Sequence, residues 1–373
     1  MRYKVFRFSA LLLTGLLLFS GCSSSGTSQN NPNAANSQTE AAPATSQAPS
    51  QPVEKTLTLE EFDALLAEQP LAVTQTRYVV QDEQYKSLYP DMLQATLTNH
   101  TDTDIKNAVV AFVAWDENNL PVKIEGQFDF SDGDYIKQVR YDGINLIAGG
   151  TAGEDGGYSL GEDNSINHFK AIAVSFETFE GDTWKNPYFD DFCDLYKDTK
   201  YAEDMTLDVK ITDSSFAPTP RENTSTVTAS DLEARLSEQP VTIIHTSYVV
   251  QDETYKTLYP DMLQVTLQNN TEDDIRNVVV AFAAWDENNL PVKIEGQFDF
   301  GDSSYIKKAA YNDVNLAAGA TAGENSGFSL SEHCGIKTFK AIVVSYETFD
   351  GNTWENPCYD DFCTLYEEKK LSE

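Results

Sequence analysis

The chain has 373 residues, of which 40% are hydrophobic and 11% aromatic, and a formal net charge of −33. At about 150 residues per domain this is length for two or three domains, and the aromatic share excludes a wholly disordered acidic chain. With 59 acidic against 26 basic residues, phosphate neutralisation cannot hold nucleic acid, and charge will not draw the chain to anionic lipid headgroups.

The N-terminus reads as a processing signal. Arg2, Lys4 and Arg7 precede the apolar run Ala10–Phe19, which is followed by Ser20, Gly21 and Cys22. The run is too short to span a bilayer, and this order marks a secretory signal over residues 1–21. Ser20-Gly21-Cys22 resembles a bacterial lipobox, with Phe19 where that motif usually has Leu. The resemblance implies that Cys22 is acylated and becomes the new N-terminus, and two acyl chains give a stable anchor. The expected location is the cell membrane, lipid-anchored and facing the extracellular side. Residues 22–57 then read as the lipidated cysteine and a disordered tether. Ser23–Val53 is built of Ser, Asn, Gln, Ala, Thr and Pro with one charge, Glu40, and no aromatic. It cannot bury enough apolar surface to offset its ordering entropy.

The rest is one domain written twice. Thr58–Lys200 realigns on Thr228–Lys370 at a constant offset of 170 without a gap, with about 60% identity. The segment 114–130 recurs unchanged at 284–300. So long a period means tandem globular domains, expected over residues 58–211 and 228–373, with 212–227 a Ser/Thr/Pro-rich linker.

Each copy opens with a helix. Thr58 and Glu61 form a capping box pattern ahead of Phe62, Leu65 and Leu66, and Pro70 ends the run; Thr228, Asp231, Leu232 and Pro240 repeat it. After the helix the signals are β: Ala72–Gln81, Met92–Asn99, Ile105–Trp115, Val122–Phe130, Tyr135–Tyr141, Ile144–Ala148, Gly157–Leu160 and Phe169–Phe179, with turn residues between them. Met205–Ile211 alternates as an extra terminal strand of the first domain. The expected fold is mostly β, two tandem antiparallel β-sandwiches, each with a short N-terminal helix. Ile105–Trp115 is apolar on both faces, so both faces must be covered: one by the opposing sheet, the other by the helix.

The strand Leu93–Thr101, the strand Ile105–Trp115 and the turn Leu146–Thr151 resemble the FxLYD-type immunoglobulin-like domains of Gram-positive lipoproteins. With the tail Asp350–Pro357, the chain is similar to an uncharacterised bacterial lipoprotein with tandem domains of unknown function. The likeness covers nearly all of each copy and implies a fold and a location, not an activity.

Catalytic residues are not indicated. None of His100, His168, His245 and His333 has a histidine at the matching position of the other copy, so a site common to both copies cannot use one as base or ligand. Of the carboxylates, Asp190-Asp191 are the adjacent pair of aspartates that recurs in the second copy. The loop Ser131-Asp132-Gly133-Asp134 is the best calcium candidate, yet its counterpart 301–304 loses a carboxylate and no EF-hand spacing occurs. The expectation is a non-enzyme with no metal and no cofactor. Trp184 and Trp354, in the turn Gly-Asp/Asn-Thr-Trp-x-Asn-Pro, with Tyr188 and Tyr359 after them, are the candidate ligand or partner contacts; as a core alternative, the tryptophans cap the sandwich end. Cys193, Cys334, Cys358 and Cys363 stand in an oxidising compartment. The family likeness implies a bridge between Cys334 and Cys363, with Cys334–Cys358 the competing pair. Two functions stay open: an envelope module presenting acidic domains to an envelope protein or cell-wall glycan, and a sensing or accessory ectodomain that binds calcium or a small cationic ligand.

Overall fold

The computed structural model describes residues 53–82, 90–127, 129, 132–154, 156–161, 164–220, 227–252, 259–299, 303–331 and 334–372. The signal, Cys22, nearly all of the tether, Ser131 and His333 lie outside them. The described residues belong to one compact unit.

The first copy runs β1 (Val53–Thr58), α1 (Leu59–Ala67), β2 (Leu71–Val79), β3 (Met92–Asn99), β4 (Ile105–Trp115), β5 (Pro121–Val122), β6 (Lys137–Tyr141), β7 (Thr151–Ala152), β8 (Tyr158–Ser159), β9 (His168–Thr178), β10 (Thr183–Lys185), α2 (Phe189–Tyr196) and β11 (Thr206–Ile211). The capping box forms as its residues require: Glu61 N donates to Thr58 Oγ1 at 3.3 Å and Thr58 N to Glu61 Oε2 at 3.0 Å. Ile144–Ala148, expected as a strand, makes only a bridge between Leu146 and Ile105. Val122–Phe130 shortens to β5 followed by bridges at Ile124 and Gly126.

The strands form two antiparallel sheets. One pairs β2 with β3, which also carries β7 and β8; the other runs β10-β9-β4, with β5 and β6 along the far side of β4. Ala108, Val110, Phe112 and Ala114 of β4 enter the core between the sheets, with Leu93, Ala95 and Leu97 of β3 opposite. Ala111, Val113 and Trp115 face the other way. Irregularities between Ile105 and Asn107 and between Val109 and Val110 shift the pleat, so Ile105 joins the inter-sheet core.

The outer face has more cover than one helix. Phe62 of α1, Phe192 and Tyr196 of α2, and Leu57 and Val209 of a β1–β11 ribbon all pack on Ala111, Val113 and Trp115. The ribbon pairs Val53 with Ile211 through Thr58 with Thr206. The first domain therefore begins at Val53, and Val53–Leu57, expected as the end of the tether, are a strand. Leu57 and Val209 supply the reason: they bury against the sheet, which a free tether could not do.

The second copy repeats the plan as α3 (Ala229–Leu236), β12 (Val241–Val249), β13 (Met262–Asn269), β14 (Ile275–Trp285), β15 (Pro291–Val292), β16 (Ile306–Tyr311), β17 (Thr321–Ala322), β18 (Gly327–Ser329), β19 (Thr338–Thr348), β20 (Thr353–Glu355) and α4 (Tyr359–Tyr366). Among the described residues it has no ribbon; Val227 and Leu371 pack at the edge of its helix-side core instead. Leu232 stands where the first copy has the fully buried Phe62, and a cavity of about 370 Å³ lies between α3, α4 and the sheet. The copies touch each other through Lys106 Nζ–Glu368 Oε2 at 2.9 Å, Lys370 Nζ–Asp104 Oδ2 at 2.6 Å and Asn145 Nδ2 donating to the Pro291 carbonyl at 3.1 Å.

Candidate functional site

The two tryptophan turns are built alike. After β9 the chain reverses through Gly181, whose φ of 83° suits a residue without Cβ. Thr178 N donates to the Asp182 carbonyl at 2.9 Å, closing the turn into β10. Buried Asn186 then pins the exit: its Nδ2 donates to the Ala173 carbonyl at 2.8 Å, and its Oδ1 accepts from Tyr188 N at 3.0 Å. Asn356 makes the same two bonds, at 2.7 Å to Val343 and 2.8 Å from Cys358. Each tryptophan is held on an edge strand and stacked on a ring of the neighbouring strand. Trp184 lies on Phe176 at 5.4 Å and 21°, Trp354 on Tyr346 at 5.3 Å and 19°.

What lies over the two stacks differs. In the first copy the segment after β11 covers it. Trp184 Nε1 donates to the Ser214 carbonyl at 3.0 Å, and Phe216 meets Phe176 edge-on at 4.9 Å. Tyr188 Oη donates to the Thr212 carbonyl at 3.1 Å, and Thr219 N donates to Asp182 Oδ2 at 3.2 Å. Trp184 is 6% exposed and Tyr188 1%. Both were candidate partner contacts, with sandwich-end packing the alternative for Trp184, and both are packing residues, because residues 212–219 of their own chain already occupy the surface. That stretch, expected as free linker, is tied to the first domain.

In the second copy no described residue takes that place. Trp354 is half-buried, and no described residue accepts from its indole N–H. Phe349 is 57% exposed where its counterpart Phe179 is 7% exposed. Cys358 replaces Tyr188, so the hydroxyl that holds Thr212 is missing, and Asn352 replaces Asp182. The charge changes too. A hollow of about 200 Å³ on the other face of the sheet from the Trp184 stack is lined by Arg140, Glu177 and Lys185; the matching positions in the second copy are Ala310, Glu347 and Glu355. Tyr359 does not join Trp354. It packs on the helix side of the sheet, with Lys308 Nζ 4.3 Å from its ring centre, whereas Trp354 packs on the inter-sheet side.

The remaining candidates disperse. His100 Nδ1 lies 2.9 Å from the Gln69 carbonyl, and His168 stacks on Trp115 at 5.2 Å, where burial lowers its pKa. Asp190 and Asp191 open α2, and burial raises the Asp191 pKa. Asp134 of the candidate calcium loop pairs its backbone with Ile124. No group of three His, Cys, Asp or Glu among the described residues is placed to hold a metal ion. The four described cysteines are free thiols. Cys334 packs against the inter-sheet core, Cys358 and Cys363 against the helix-side core. Neither the expected Cys334–Cys363 bridge nor its competitor Cys334–Cys358 forms, because the sheet separates the partners and a bridge needs Cα atoms within about 7 Å. One polar cluster had not been anticipated. Asp129 Oδ2 accepts from Lys137 Nζ and Tyr158 Oη, both at 2.6 Å, and from Gly126 N at 3.0 Å. Phe216, Ser214 and Tyr346 were also missed; a lone aromatic in a Ser/Thr/Pro stretch was the available signal for the first.

The family of unknown function DUF5780 matches twice, over residues 92–199 and 262–369. The chain belongs to that family. Both DUF5780 matches include the tryptophan turn, and neither includes β1, β11 or residues 212–219. Among curated proteins none matches the chain. A hypothetical protein of Peptoclostridium difficile 630, solved by X-ray at 1.85 Å, is similar at 14% identity over 36% of this chain and 95% of that chain, with a TM-score of 0.30.

Proposed function

We propose that this DUF5780 protein is a non-catalytic, lipid-anchored module of the cell envelope, held by Cys22 and presenting its two acidic, immunoglobulin-like domains to an envelope protein or cell-wall glycan. The observation that carries the reading is the Trp354 stack. A large aromatic pair on an edge strand, whose indole donor meets no acceptor among the described residues, is the kind of surface from which partners gain most of their binding energy. The first copy makes the contrast, since the same stack is sealed there. The charge of −33 favours cationic or neutral partners and opposes nucleic acid.

The test uses a photo-reactive residue at Thr353 in intact cells, with the same probe at Thr183 as control. Crosslinks to an envelope protein or glycan are expected from position 353 and not from 183; equal yields from both would refute the reading. The anchor is tested by fractionation. Cys22→Ala is expected to leave the membrane fraction, and retention of that variant in high salt would place the anchor elsewhere.

A further inference from the structure

We infer that the chain joins head to tail with a second copy of itself, the face around Leu120 of one chain docking on the face around Asn315 of the next. The inference does not rest on the Trp354 reading. The joint between the two copies within one chain supplies the pattern. Lys106 Nζ of the first copy meets Glu368 Oε2 at 2.9 Å and lies 5.3 Å from the centre of the Tyr305 ring. Asp104 Oδ2 takes Lys370 Nζ at 2.6 Å, and Asn145 Nδ2 donates to the Pro291 carbonyl at 3.1 Å. The two faces that meet are different surfaces, so the contact is heterologous, and the repeat gives each copy both of them. One face of each copy is used inside the chain. The other face of each is left on the outside.

The two outer faces complement each other as the inner two do. Leu120 lies in the segment 114–130 that is identical to 284–300, yet it is 48% exposed where Leu290 is 0% exposed. Near it Tyr135, Asp198 and Lys200 hold the places of Tyr305, Glu368 and Lys370. On the opposite face Asp274, Arg276 and Asn315 hold the places of Asp104, Lys106 and Asn145, and they are exposed where those three are half-buried. Each polar contact of the inner joint thus has a matching pair outside: Arg276 for Asp198 with Tyr135 beneath, Asp274 for Lys200, and Asn315 for the Pro121 carbonyl. The backbone that presents them is already set. Asn145 and Asn315 have φ of 47° and 49°, and Asp198 and Glu368 have φ of 51° and 55°. Asp274 Oδ1 accepts from Ala318 N at 3.0 Å, as Asp104 Oδ1 does from Ala148 N at 2.9 Å. Arg276 Nε sits 3.3 Å from Asp313 Oδ1, and the guanidinium has further N–H groups for Asp198. Preformed faces avoid the ordering cost of association, and covering Leu120 adds an apolar gain. The net charge of −33 opposes the approach of two chains. At physiological salt that repulsion is screened beyond about 8 Å, so the paired charges at the contact decide.

The test places a photo-reactive residue at Asn118 of the full chain in intact cells. Asn118 and its counterpart Asn288 are both exposed, so the probe sits beside the joint without blocking it. A covalent dimer of the chain is expected, with the linkage mapped by mass spectrometry to the residues around Asn315. Leu120→Asp, made at an exposed side chain, is expected to lower the dimer yield about tenfold or more, because it sets a carboxylate into the apolar part of the contact. Arg276→Glu is expected to lower the yield by a smaller factor. Adding Asp198→Lys to Arg276→Glu is expected to restore it, which a disturbed fold would not do. Crosslinks only to other molecules, a dimer linked elsewhere, or a dimer yield that neither Leu120→Asp nor Arg276→Glu changes overturns the inference.

Discussion

The two copies share about 60% of their residues and the same pair of sheets, yet among the described residues only the first shows a cover on its tryptophan stack. The first copy recruits chain from both of its flanks. β1 and β11 close its helix side, and residues 212–219 close its tryptophan stack. The second copy keeps the same sheets, turns and buried Asn356, and lacks those covers among its described residues. Within a repeat, the residues that set the fold are therefore the shared ones. The residues that cover the first copy's stack lie outside the repeat.

The largest effect that separates the copies comes from the ribbon. Val209 is 1% exposed and packs on the sheet beside Trp115. Val209→Asp buries an unpaired carboxylate and is expected to cost about 3–5 kcal/mol. The loss should fall on the first copy. Hydrogen exchange read peptide by peptide should show β4 and β9 losing protection while β14 and β19 keep theirs. Equal loss in both would show that the copies unfold as one body, through contacts such as Lys106–Glu368 and Lys370–Asp104.

The next comparison is expected to show no difference. Asn186 and Asn356 are buried and make matching pairs of bonds at the exit of the tryptophan turn. Replacing either by Ala leaves a buried carbonyl and a buried N–H without partners, at about 1–3 kcal/mol. Chemical denaturation should give similar losses for Asn186→Ala and Asn356→Ala. A twofold disparity would mean that the cover segment, and not the asparagine, fixes the turn in the first copy.

The β-sheet core and the face assignment could be read from sequence because β4 is apolar on both sides, and strand alternation leaves only one way to divide it. α1 was readable for a comparable reason, since a capping box is a local chemical signal. The short strands β7 and β10 were not, because two or three residues carry no period and exist only through pairing with β3 or β9. α2 was missed although Phe189, Phe192 and Tyr196 recur at helical spacing; three aspartates break up the apolar pattern between them. The candidate site was half readable. The sequence marks both tryptophans equally, and only tertiary packing shows that Ser214 and Phe216 cover one of them.

Opening the first stack should make it resemble the second. Phe216→Ala removes the ring over Phe176 and Trp184. As Phe216 is only partly buried, the expected cost is about 1–2 kcal/mol, below that of a fully buried Phe. The sharper readout is access: iodide should quench Trp184 in the variant and not in the parent, while quenching of Trp354 stays the same. If Trp184 remains protected, the Ser214 and Thr212 bonds alone hold the cover in place.

The smallest expected effect concerns acid. Asp129 is held at a pKa of about 2, first by the Lys137 ammonium, then by the Tyr158 hydroxyl and the Gly126 N–H, against a burial that acts the other way. Gly126 is required here, because a Cβ would collide with Tyr158 Oη. The second copy has Asp299, Lys307 and Gly296 in the same places but Phe328 for Tyr158, so one donor is gone; Asp299 is still lowered, first by Lys307. A carboxyl whose folded pKa lies below its unfolded value stabilises the fold above the unfolded value, about 3.9 for Asp. That contribution disappears as pH falls through the folded value, so the window runs from about 4 down to about 2 for Asp129. Tyr158 stays a donor throughout, since burial pushes its own pKa up to about 12. Tyr158→Phe should therefore raise the Asp129 pKa toward that of Asp299 and move acid unfolding of the first copy to higher pH, with the second copy unchanged. Carboxyl ¹³C titration of the parent and the variant measures the shift directly. An unmoved Asp129 would assign its low pKa to Lys137 and the Gly126 N–H alone, and the two clusters would then be equivalent despite their different aromatic residue.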